Sequence, residues 1–93
     1  MTAAFTAHAL KRMGQRNIPR WQVDLALSYG KRIYAHKSLF VFLGRRHVER
    51  MRRDGYTGID KLEGLTLVLD PKTKTLITCF KNRSFTRKIR HKD

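Results

Sequence analysis

The chain has 93 residues, 41% of them hydrophobic and 10% aromatic, and its 21 Lys and Arg outweigh seven Asp and Glu for a formal net charge of +14. That is one domain's worth of chain with enough apolar material for a thin core, so wholesale disorder is excluded, and so much charge of one sign calls for an anionic partner, phosphate backbones first among them. The lone cysteine, Cys79, excludes an intramolecular disulfide and a cysteine-rich zinc site, and seven carboxylates leave little for acid catalysis or for holding Mg²⁺.

Thr2 or Thr6 can cap a first helix that runs to about Gly14, where the glycine invites a stop. Phe5, Ala9 and Met13 recur every four residues and Leu10 widens the stripe, the pattern of an amphipathic helix. After a turn at residues 15–17, Pro19 is placed to open a second helix. That helix sets Trp21, Leu25 and Ser28 or Tyr29 on one side, with Val23 and Leu27 close by, and ends at Gly30. Strand patterns take over at Lys31. Residues 31–36 contain the strand formers Ile33 and Tyr34, residues 36–38 make a turn, and Leu39 to Leu43 is an apolar run closed by Gly44. Residues 45–55 read either as a third helix, with Val48 and Met51 on a thin apolar side, or as a basic extension of the preceding strand. Residues 56–64 read as a loop.

Residues 65–70 and 75–80 are two clear strands joined by a hairpin at Pro71 to Lys74. Leu65, Leu67 and Leu69 alternate, which predicts one buried row under the helices, against Phe5, Trp21 and Leu25. The basic stretch 81–93, with Phe85 and Ile89 four apart, reads as a short helix or a strand extension. This order predicts an α+β fold over residues 1–93 as a single domain, with two N-terminal helices packed on one face of a curved antiparallel sheet of about four strands. The opposite face is expected to be open and basic. The opening residues hold no long apolar stretch, and no apolar run approaches the roughly 20 residues of a membrane span, so the cytoplasm is the expected compartment and no membrane contact is expected.

Chemistry concentrates in three places. His8, Arg12 and Arg16 fall at successive intervals of four, a slowly drifting stripe beside the apolar face of the first helix. An imidazole one turn from a guanidinium suits phosphodiester chemistry, because the imidazole moves a proton near neutrality and the guanidinium holds phosphate oxygens. The same spacing also describes the solvated flank of any amphipathic helix. At the end of the last strand, Thr78 is expected on the side of Leu76 and Phe80, and Lys81, Asn82 and Arg83 cluster just beyond it, followed by Arg87 and Lys88. Phe80 and Phe85 interleave these charges, an arrangement that suits single-stranded RNA, although both rings also suit a core. A further block holds Arg45, Arg46, Arg50, Arg52 and Arg53. His36, His47 and His91 show no metal-ligand spacing and are expected to be exposed, so no metal and no cofactor are expected.

The opening His8-Ala9, Arg12-Met13 and Arg16, taken with the closing run from Leu76 to Arg83 and the segments between, resembles the bacterial domain-of-unknown-function four-two-five-eight family. That family is similar in turn to RelE/ParE-like toxins and to the wider group of small metal-free RNase toxins. The resemblance implies a two-helix start on a curved antiparallel sheet, RelE-like or microbial RNase-like in kind. It also implies RNA as substrate, on the ribosome among other settings, and an acidic antitoxin as a candidate partner. The matching site positions are His8, Arg12 and Arg16 on the helix, and Thr78, Asn82 and Arg83 at the last strand.

Two classes of function follow. In a metal-independent endoribonuclease of toxin type, the ribose 2′-OH attacks the neighbouring phosphorus. His8 would handle the proton, Arg12 and Arg83 would hold the phosphate, and Thr78 or Asn82 would position it. The alternative is a non-catalytic basic RNA-binding module, working at the ribosome or in a complex, with Arg16, Arg45, Arg46, Lys81, Asn82, Arg87 and Lys88 as its contacts. A DNA-binding regulator is disfavoured, because the helix pair presents no obvious recognition helix.

Overall fold

The computed structural model of the protein describes residues 4–82; Thr2, Arg83, Phe85, Arg87, Lys88, Ile89 and His91, each considered above, lie outside the described residues. Helix α1 (Ala7–Gln15) begins at Thr6, whose hydroxyl accepts the Ala9 N–H at 3.0 Å as an N-cap. The helix runs past Gly14, the expected stop. Its end is made instead by Asn17 in the left-handed region (φ 52°), with Ile18 N–H returning to the Met13 carbonyl at 2.9 Å and Asn17 N–H to the Gly14 carbonyl at 3.4 Å. This is a Schellman close in which asparagine takes the position glycine usually fills, and Ile18 is buried behind it.

Helix α2 (Arg20–Tyr29), with Pro19 at its N-cap, turns Val23 and Ala26 into the core. Trp21 does not join them and is 49% exposed, as is Leu10 at 54%. At 100° per residue Trp21 sits about 200° from Val23, so the small side chains face the sheet and the indole faces out. A Cβ at Gly30 would lie 2.6 Å from both the Ala26 carbonyl and the Val41 side chain, so only glycine lets the chain turn there from α2 into the sheet.

Four antiparallel strands follow in the order β1 (Lys31–Ala35), β2 (Ser38–Phe42), β3 (Leu65–Leu69) and β4 (Leu76–Lys81). β1 and β2 are joined by His36 and Lys37, both at positive φ (51° and 61°), as a two-residue hairpin turn requires. The β3–β4 loop is held by Asp70, whose Oδ1 accepts the Lys72 and Thr73 N–H groups at 2.8 and 3.0 Å. These bonds, that from Thr73 foremost, hold the Asp70 carboxyl below its ordinary value. Between β2 and β3 the chain forms α3 (Arg45–Arg53) and a 3₁₀ turn (Asp60–Leu62) inside the stretch expected to be a loop. Val48 and Met51 are the buried side of α3, which settles the choice between helix and strand extension.

The fold is thus α+β, with the two N-terminal helices and a four-stranded antiparallel sheet. The row Leu65, Leu67 and Leu69 is buried with Leu39, Val41, Leu76 and Cys79, and Ala9, Met13, Val23 and Ala26 close over the same cluster. Phe5 and Leu25 pack against it, whereas Trp21 does not. The register shifts between Val68 and Leu69, so Leu76 pairs with Leu69 and Thr78 with Val68. Thr78 consequently shares a face with Phe80 but not with Leu76. That second face also carries Ile33, Phe40, Phe42, Thr66 and Val68. Among the described residues, Lys31, opposite Phe42, is the one cation its strands place there, so the face is mainly apolar and aromatic rather than basic. Among the described residues, no helix is long and apolar enough to cross a membrane.

The outer edge of β4 is covered at Leu76 by Ala4 to Thr6. Phe5 bridges Leu76 in parallel, Leu76 donates to the Ala4 carbonyl at 2.8 Å, and its own carbonyl accepts the Thr6 N–H at 3.0 Å. The Thr6 hydroxyl donates to the Ile77 carbonyl at 3.2 Å, and an Arg16 guanidinium nitrogen donates to the Cys79 carbonyl at 2.8 Å. α1 is thereby laid alongside the edge it protects.

Candidate nucleic-acid interface

Helical spacing brings His8 and Arg12 together on the exposed side of α1. Arg12 Nε–H points at His8 Nε2 across 3.4 Å, and its Nη1 donates to the Gln15 side chain at 3.1 Å. The Arg12 N–H is aimed at the lone pair of that imidazole nitrogen, the atom through which a histidine side chain takes up a proton. Arg16, next on the stripe, is turned toward β4 by its bond to the Cys79 carbonyl. One face of that guanidinium is committed to the backbone, a role that sequence spacing could not reveal because the partner lies 63 residues away.

The strand-end group is arranged differently. Thr78 is half-buried on the face shared with Val68 and Phe80, while α1 packs by Ala9 and Met13 into the cluster that includes Leu67 and Cys79. Among the described residues, no hydrogen bond joins the Thr78 hydroxyl to His8 or Arg12. Lys81 is exposed beside Asn82, and the two line a shallow depression of about 400 Å³ with Lys61 and Glu63. Asn82 N–H donates to the Gly64 carbonyl at 2.8 Å, which fixes the end of β4 to the start of β3. Arg83, Arg87 and Lys88 lie outside the described residues.

The third basic group is α3. Its N-terminus is capped by His47, whose Nδ1 accepts the Gly44 N–H at 2.8 Å. This half-buried imidazole is therefore a structural acceptor rather than an exposed side chain; its position three residues after the N-cap was the available signal. Burial, then the neighbouring Arg50, Arg46 and Lys31 cations, hold its pKa below the ordinary histidine value. Arg45 pairs with Glu49 at 3.4 Å, one helical turn on, and Arg52 pairs with Asp60. Arg46, His47, Glu49, Arg50 and Arg53 line a depression of about 400 Å³. At the helix's far end the Tyr29 hydroxyl donates to Asp54 Oδ2 at 2.5 Å, a bond that pushes the tyrosine up to about 12 and latches α2 to α3. The Tyr56 ring packs edge-on to Tyr29 at 6.0 Å.

The arrangement offers two exposed cationic places on different helices: the His8–Arg12 pair on α1 and the arginine-rich outside of α3. Comparison with known proteins adds one finding: the model of a family described as "Domain of unknown function (DUF4258)" matches residues 5–83. No curated protein and no solved structure matches the chain.

Proposed function

The chain belongs to that family, whose description assigns no activity, and on this premise we propose that it is an RNA-directed, metal-independent endoribonuclease of the kind found among RelE/ParE-like toxins. The observation that carries the reading is the His8–Arg12 pair, an imidazole and a guanidinium one helical turn apart and within 3.4 Å of each other, in a chain of net charge +14. A phosphodiester drawn to Arg12 competes with His8 for that guanidinium and frees the imidazole lone pair beside the bound phosphate. His8 then takes the proton of the ribose 2′-OH as the O2′–P bond forms. The P–O5′ bond breaks, and the departing 5′-oxygen takes a proton from the imidazolium or from water, leaving a 2′,3′-cyclic phosphate and a 5′-hydroxyl. Arg12 holds charge on the non-bridging oxygens through the transition state. Lys81 and Asn82, with Arg83 beyond them, supply further contacts to the strand. Thr78, on the face of the sheet away from Ala9 and Met13, lies outside this arrangement.

The test is incubation of purified protein with RNA in EDTA, alone and with ribosomes. Cleavage with 2′,3′-cyclic ends is expected; intact RNA in both settings overturns the reading. A second reading, an RNA-binding module without catalysis, is favoured by the basic block on α3, which lies on a different element from the His8–Arg12 pair. RNA binding without cleavage in the same experiment selects it. Cytoplasmic RNA and an acidic antitoxin are the proposed partners.

A further inference from the structure

Two stripes of identical spacing run along α3. Arg45, Glu49 and Arg52 lie at intervals of four and three, as do Arg46, Arg50 and Arg53. At 100° per residue the stripes are about a quarter turn apart, and the buried Val48 and Met51 lie on the remaining side. Their electrostatics are opposite. In the first stripe Arg45 is paired with Glu49 and Arg52 with Asp60, so its charges cancel locally. In the second, none of the three arginines has an ion pair among the described residues, all three are exposed, and two of them act on His47 together with Lys31 from the start of β1. Of the carboxylates on and just after this helix, Glu49 is paired with Arg45 and Asp54 accepts from the Tyr29 hydroxyl.

We propose that Arg46, Arg50 and Arg53 form a backbone-binding site for RNA, separate from the His8–Arg12 pair, in which successive phosphates of one strand lie along the unpaired stripe of α3 and Lys31 flanks its start. The three arginines step along the helix by about 6 and 4.5 Å, so each reaches a different part of a strand laid parallel to the axis. Glu49, which lines the same depression but is paired with Arg45, is one carboxylate against three cations there, and a phosphate chain offsets the remaining repulsion with charge-assisted bonds. Arginine rather than lysine suits the task, because its planar fork grips two oxygens of one phosphate. This inference rests on the proposed RNA-directed function but not on cleavage.

The experiment compares two double variants that remove the same charge from the same helix. R46Q/R50Q strips the unpaired stripe and R45Q/R52Q the paired one, and glutamine keeps the helical propensity of arginine. The probe is a fluorescent single-stranded 2′-O-methyl RNA, which binds but lacks the hydroxyl needed for cleavage. Its affinity is measured over a range of salt, and circular dichroism shows that each variant is folded. R46Q/R50Q is expected to lose about tenfold in affinity or more at low salt and to lower the salt slope by about 1.4, two phosphate contacts at about 0.7 each. R45Q/R52Q is expected to lower the slope by clearly less, because its arginines are already paired with Glu49 and Asp60, and R46K/R50K to retain most of it. Equal slopes for the two glutamine variants overturn the inference, because the charge would then act only as a diffuse field. Failure of the wild-type protein to bind the probe at low salt defeats the RNA-directed function itself, so the two failures are distinguishable.

Discussion

His8 and Arg12 separate catalysis from binding at the level of single side chains. Against a net charge of +14 one imidazole adds little attraction for a polyanion, whereas a general base or acid contributes about 10² to 10⁴ in rate. His8→Ala is therefore expected to lower RNA cleavage by that factor while leaving affinity for an uncleavable RNA within about twofold. A variant that cuts as fast as the parent would remove His8 from the mechanism. Arg12→Ala is expected to weaken both quantities, since its charge acts on the bound strand and on the transition state alike. Arg16 is a poor subject for the same experiment: its guanidinium holds the Cys79 carbonyl, so its loss mixes a structural effect with any effect on RNA.

Helix ends carry the next set of consequences. Gly14 lies inside α1, and a Cβ there meets nothing within 4 Å, while Asn17 at φ 52° closes the helix. Gly14→Ala is expected to raise stability by about 0.5–1 kcal/mol, and Asn17→Val to lower it by about 1–2 kcal/mol, both read from urea midpoints. If Asn17→Val were neutral, the left-handed close would not be the element that ends the helix. At the start of α3 the cap is titratable. His47 must be neutral to accept the Gly44 N–H, and burial and nearby cations depress its pKa in the fold. Its contribution to stability is thus complete above the ordinary histidine value, about 6.5, and is lost as pH falls through that value toward the depressed one. His47→Gln keeps an acceptor at this position without titrating. Between about pH 7.5 and 5.5, the parent is expected to lose more stability than His47→Gln, and parallel profiles would show that the imidazole does not titrate with folding.

On the scale of the whole molecule, charge dominates. RNA affinity is expected to fall by orders of magnitude between roughly 50 and 200 mM salt, and a salt-insensitive complex would contradict a basic binding surface. The charge was legible from composition, and so was much of the architecture. The alternation in Leu65 to Leu69, the apolar run from Leu39 and the four-residue recurrence of Ala9 and Met13 are local patterns, and each formed the element it announces. What stayed hidden depends on distant partners. The register shift beside Leu69 decides which face Thr78 takes, and no residue near Thr78 announces it. Trp21 is the bulkiest apolar residue of α2, yet the sheet accepts the smaller Val23 and Ala26. α3 was ambiguous because only Val48 and Met51 anchor it amid arginines. In the candidate site, the His8–Arg12 contact followed from helical spacing, while the split of the arginine block into paired and unpaired stripes required knowing that Asp60 folds back onto Arg52.

The covering of β4 by Ala4 to Thr6 and Arg16 bears on how copies of this chain behave in company. A bare strand at that margin would offer its carbonyls to a neighbouring molecule, and sheets could grow from one protein to the next. With Ala4 to Thr6 folded along the strand, the chain occupies that template from within. The opposite margin, β1, is guarded by other means, since Lys31 and Arg32 place like charges on any copy that approaches. Neutralisation of those charges by a bound polyanion lifts the second guard but not the first. A crowded protein–RNA mixture therefore leaves the β1 margin as the one through which this sheet could extend into its neighbours, and the β4 margin closed as long as the N-terminal segment stays in place.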